Sequence, residues 1–124
     1  MEFDNNIPIY IQVIQDIEKD IITGKLGLGE KMPSGRDLAL KYKINPNTAS
    51  RIYKELEAQA ICFTKRGLGT FVTEDGARVD QIRKDMANDL LEQFISGMDK
   101  LGIQKAEILA MLEEKYLEFK ETNN

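Results

Sequence analysis

The stretch from Ser34 to Ala58, SGRDLALKYKINPNTASRIYKELEA, carries two helix-start signals in quick succession. Ser34 is followed three positions later by Asp37. A hydroxyl there can accept from a free amide of the first turn, and the carboxylate meets the positive end of the helix dipole. Asn45 is a favoured cap and Pro46 suits a first turn, where a missing N–H leaves nothing unpaired. One helix is therefore expected from Ser34 to about Tyr42, with Leu38, Ala39 and Tyr42 on one face, and another from Asn45 to about Ala58. Only Lys43, Ile44 and Asn45 separate them, which predicts a helix-turn-helix.

Upstream, Pro8 fits the first turn of a further helix, in which Tyr10, Ile14, Ile17 and Ile21 recur at helical steps until Gly24. Gly24 to Met32 reads as a loop with room for a short extended piece before Pro33. Downstream, Ile61 to Arg66 and Thr70 to Thr73 are rich in β-branched and aromatic residues and flank Gly67, Leu68 and Gly69. That pattern predicts a β-hairpin whose tip projects two cations, Lys65 and Arg66. From Asp75 the period is helical again through Val79, Ile82, Met86, Leu90, Phe94 and Met98. Gly97 and Gly102 bracket an expected break, and a last helix carries Ile108, Leu112, Tyr116 and Phe119 to a polar tail, Glu121 to Asn124.

The expected fold is mainly α with a small β-hairpin, divided into residues 1–74 and a helical segment 75–124. The apolar stripe of the last two helices has no further chain to cover it, so a partner surface is implied, and a second copy is the simplest one.

At 124 residues, 42% hydrophobic and 31% charged, the chain has the size and composition of one globular domain with an appendage. It contains no histidine and a single cysteine, Cys62, set between Ile61 and Phe63 as a small hydrophobe. Acid–base, redox and zinc chemistry are thereby disfavoured, and no enzyme activity, metal or cofactor is expected. Glu113 and Glu114 point to different sides of a helix and read as solvated surface. Without a membrane-spanning run or a signal-like start, the expected location is the cytoplasm.

Charge is segregated along the chain. Residues 25–73 hold nine basic and four acidic side chains, a net +5, while the flanks carry −4 and −5. A basic centre is what contact with a polyanion requires. In the helix after Asn45, Ala49, Ile52, Tyr53 and Leu56 form a core stripe, and Asn47, Arg51 and Lys54 lie opposite, with Thr48 and Ser50 beside them. Amides, hydroxyls and guanidinium groups are the groups that read base edges in a major groove. The bland alternatives are an Arg51–Glu55 surface pair, an exposed Arg36 paired with an acid, and hairpin cations that guard a sheet edge.

The segment PIYIQVIQDIEKDIITGKLGLGEKMPSGRDLALKYKINPNTASRIYKELE, followed by KRGLGTFV, resembles the GntR family of bacterial winged-helix transcriptional regulators over Pro8 to Val72. The short acidic C-terminus is similar to that of its YtrA-like subfamily. The resemblance implies a winged helix-turn-helix that binds double-stranded DNA as a regulator, usually a repressor, with C-terminal helices forming a homodimer. It implies contacts from Arg36, from Asn47 and Thr48 with Ser50, Arg51 and Lys54 beside them, and from the wing at Lys65, Arg66, Gly67, Gly69 and Thr70. A two-fold dimer favours an inverted-repeat operator. The alternative is a winged-helix protein-interaction module that does not bind DNA. Two departures stand out: Gly35 is expected to loosen its helix, and Ala60 lies where a glycine commonly ends the recognition helix.

Overall fold

The computed structural model describes residues 1–123. The elements are α1 (Ile9–Ile22), α2 (Gly35–Tyr42), α3 (Pro46–Ala58), β1 (Cys62–Lys65), β2 (Gly69–Val72), α4 (Gly76–Lys100) and α5 (Lys105–Asn123). By packing, the chain falls into two units, Met1–Lys84 and Asp85–Asn124.

In the first unit both helix starts form as their chemistry dictates. Ser34 Oγ accepts from the Asp37 amide at 3.1 Å, and Asn45 Oδ1 accepts from the Asn47 amide at 2.7 Å. Pro8 stands one place outside the expected turn, as the extended residue that precedes α1. Gly35 is the first residue of α2, where no intrahelical amide bond is required of it, so it does not loosen the helix interior. The core closes where the apolar faces meet: Val13 and Ile17 of α1, Leu38 of α2, and Ala49, Ile52 and Leu56 of α3 are buried with Ile61 and Val72. Each large aliphatic removed from water there contributes about 1.5–3 kcal/mol. Tyr42 donates to Asp16 Oδ2 at 2.7 Å, tying α2 to α1. Cys62 is buried among these side chains, which pushes its thiol up to about 12.

The exit from α3 is a tight C-terminal turn in which the Ala60 amide donates to Glu57 O at 3.0 Å and the Ile61 amide to Leu56 O at 2.9 Å. That turn needs a left-handed residue, and Ala60 supplies it at φ 57°. Alanine thus stands in a conformation that glycine adopts more readily.

β1 and β2 pair antiparallel, Cys62 opposite Val72 and Lys65 opposite Gly69. The extended piece before Pro33 is present: Lys31 bridges to Phe71, the Met32 amide donates to Thr70 O at 2.7 Å, and the Val72 amide donates to Glu30 O at 2.8 Å. The start of α4 is capped by Asp75 Oδ1, which accepts from the Ala77 amide at 3.0 Å. One turn on, Arg78 Nε donates to Gln59 O at 2.9 Å, and Ile82 is buried.

In the second unit the helix does not break at Gly97, because one glycine inside a strongly periodic helix is tolerated. The reversal comes at Leu101–Gln104, with Gly102 at φ 73°. The expected polar tail continues α5 through Asn123, and Asn124 lies outside the described residues. α5 buries none of its side chains and exposes Leu109, Leu112, Tyr116, Leu117 and Phe119.

Candidate nucleic-acid interface

Burial sorts α3 into two faces. Ala49, Ile52, Tyr53 and Leu56 are buried, whereas Asn47, Ser50, Arg51 and Lys54 are exposed and Thr48 is half-buried. No carboxylate occurs in α3 before Glu55. The exposed start of the helix therefore offers donors and hydroxyls without a like charge to repel phosphate.

Where α2 begins beside α3, Gly35, Arg36, Pro46, Ser50, Tyr53, Lys54 and Glu57 line a groove of about 650 Å³. Three of the expected residues, Arg36, Ser50 and Lys54, share it. The Tyr53 hydroxyl donates to Pro33 O and so fixes the chain entering α2 against α3. Burial pushes the Tyr53 phenol well above its ordinary value, so it remains a donor. Glu57 is the one acid of the groove, and its carboxylate accepts from Thr64 Oγ1 on β1.

Arg51 lies outside that groove. Its Cζ sits 3.7 Å from the centroid of the Tyr10 ring on α1, so the surface pair with Glu55 does not form. Tyr10 escaped the sequence reading because its spacing to Ile14 marks it as a core residue, and only the packing of α1 on α3 brings it under a guanidinium.

The wing adds one contact to its expected form. Phe63 and Phe71 are directly opposed and their rings stack with centroids 5.8 Å apart. Lys65, two residues from Phe63 and thus on the same face, lays its Nζ 5.6 Å and 5.1 Å from the two ring centroids. Both cations of the tip, Lys65 and Arg66, are thus exposed, with Lys65 leaning over the rings. Gly69 has φ 122°, which strains any residue with a side chain, and a Cβ there would press on the flexible end of Lys31, whose Cε is 3.0 Å away. That approach also puts Lys31, a cation the sequence reading passed over, beside the wing. Thr70 faces Thr64 across the hairpin, their hydroxyls 3.5 Å apart. Among the described residues there is no cluster of metal ligands, and no helix is long and apolar enough to cross a membrane.

The model of the bacterial regulatory proteins of the gntR family matches residues 9–72, which include all of α1 through β2. The chain belongs to the GntR family. It is 33% identical over 111 residues to the transcriptional repressor YtrA of Bacillus subtilis, covering 89% of this chain and 85% of that one. A GntR family regulator from Listeria monocytogenes superposes with a TM-score of 0.86 at 45% identity, over 90% of this chain and 98% of the other. The DNA-binding domain of AraR in complex with its operator ORX1 matches with a TM-score of 0.52 at 28% identity, over 54% of this chain and 81% of that domain. The hairpin is thus the wing of a winged helix, within a YtrA-like member of a family of DNA-binding transcriptional regulators rather than enzymes.

Proposed function

We propose that the protein is a cytoplasmic, homodimeric repressor that recognises an inverted-repeat operator. Arg36, Asn47, Thr48, Ser50, Arg51 and Lys54 would lie in or beside the major groove, with Lys65, Arg66, Gly67, Gly69 and Thr70 of the wing on the neighbouring backbone. The carrying observation is the acid-free exposed start of α3, which shares a groove with Arg36 at the start of α2. A cation and free amides at a helix start favour phosphate. Dimerisation is supported by α5, whose leucines and aromatics are all exposed in the single chain. Repression is supported by the similarity to YtrA.

Salt titration of binding to duplex DNA tests the reading. The logarithm of affinity falls linearly with the logarithm of salt concentration, and Lys65→Ala reduces the slope by about one without changing sequence preference. Binding that is absent at low salt, or present with no salt dependence, rejects it.

A further inference from the structure

We propose that Tyr10, outside the helix-turn-helix, is the positioning residue for Arg51: its ring holds the guanidinium in place for reading base edges. The proposal rests on the reading of α3 given above. The contact is Arg51 Cζ at 3.7 Å from the Tyr10 ring centroid, close enough for the ring to touch the face of the guanidinium. Contact through the face leaves the in-plane N–H edges free, and those edges bind guanine O6 and N7 in a bidentate manner. Among the described residues no carboxylate competes for them.

An exposed arginine otherwise samples many rotamers, and that freedom is lost on binding DNA. Stacking removes part of it beforehand, provided that the helix turn carrying the ring is itself held. Here it is. Gln12, two residues on from Tyr10 and buried, donates from Nε2 to Asp4 O at 2.7 Å and Ile7 O at 2.8 Å, while its Oε1 accepts from the Asp4 amide at 2.8 Å. Val13 and Ile14 anchor the same stretch of α1 in the core. The first turn of α1 is thereby braced from the chain before it and from the core behind it.

The test uses the full chain, a duplex enriched by the wild-type protein from a random pool, and a random-sequence duplex of equal length. Its readout is the ratio of the two affinities. Tyr10→Phe keeps the ring and leaves the ratio within about twofold, whereas Tyr10→Leu lowers it about tenfold with little change on the random duplex. In an Arg51→Ala background, Tyr10→Leu has no further effect.

Loss on both duplexes alike, loss that persists without Arg51, or a loss in Tyr10→Phe equal to that in Tyr10→Leu overturns the proposal. If Arg51→Ala lowers the ratio and Tyr10→Leu does not, the role of Tyr10 fails while that of α3 stands. If Arg51→Ala leaves the ratio unchanged, Arg51 is not a base reader and both fall. A measurement on the unmutated protein is independent of whether variants fold: proton NMR shows the Arg51 side-chain resonances shifted upfield by the Tyr10 ring, and unshifted resonances overturn the stack.

Discussion

Tyr53, on α3, donates its hydroxyl hydrogen to the main-chain oxygen of Pro33, the residue before the Ser34 cap of α2. One bond thus sets where α2 starts relative to α3, and with it the placement of Arg36 beside Ser50 and Lys54. Tyr53→Phe leaves the Pro33 oxygen without its donor and costs about 1–2 kcal/mol. Urea unfolding checks this: the midpoint falls while the slope with denaturant stays constant.

Ala60 occupies the left-handed region at φ 57°, and its amide is committed to the turn that ends α3. Glycine adopts that conformation without the Cβ clash, at the cost of a more flexible unfolded chain. Ala60→Gly is expected to stabilise the protein by about 0.5–1 kcal/mol, read as a higher urea midpoint. An unchanged or lower midpoint contradicts the strain assigned to Ala60.

These two sites show what could be read from residue order and what could not. Both helix starts were legible because a cap is a local event: Ser34 and Asn45 satisfy amides two or three residues away. The core stripe of α3 was legible because helical periodicity fixes a face. Contacts between elements were not. Tyr10 under Arg51 and Lys31 beside Gly69 depend on how α1 packs on α3 and on the pairing of the loop with β2. The lean of Lys65 over Phe63 and Phe71 was not legible either, because those rings come together only when the hairpin closes. The helix did not stop at Gly97, because a lone glycine is a weak signal against the surrounding period.

Stability should fall on the alkaline side. Burial pushes Cys62 up to about 12, and burial also raises Tyr42 and Tyr53 above their ordinary values. Each group keeps its proton in the folded chain at a pH where the unfolded chain loses it, so its contribution is complete below the unfolded value and declines as pH rises toward the folded one. For Cys62 the decline begins near pH 9 and extends to about 12, with the tyrosines joining from about 10. With no histidine, the urea midpoint should be level between about pH 6 and 8. Cys62→Ala should remove the part of the decline that precedes the tyrosines.

Leu109, Leu112, Tyr116 and Phe119 form a stripe along α5, and each is exposed. If a second copy covers it, sedimentation equilibrium gives twice the 14.1 kDa chain mass, and Leu112→Asp gives the single-chain mass by placing a charge in the apolar contact. Because Leu112 belongs to the second unit, the unfolding free energy reported by the first unit should change by less than about 0.5 kcal/mol. A wild-type monomer at micromolar concentration contradicts the homodimer.

The most direct measurement is selection of bound duplexes from a random DNA pool by the full chain, followed by sequencing. The predicted result is an enriched inverted repeat whose half-sites are spaced by whole turns of the DNA helix, as a two-fold dimer of recognition helices requires. No enriched sequence, together with no retention of duplex DNA even at low salt, would contradict the account and leave the winged helix as a module for binding protein.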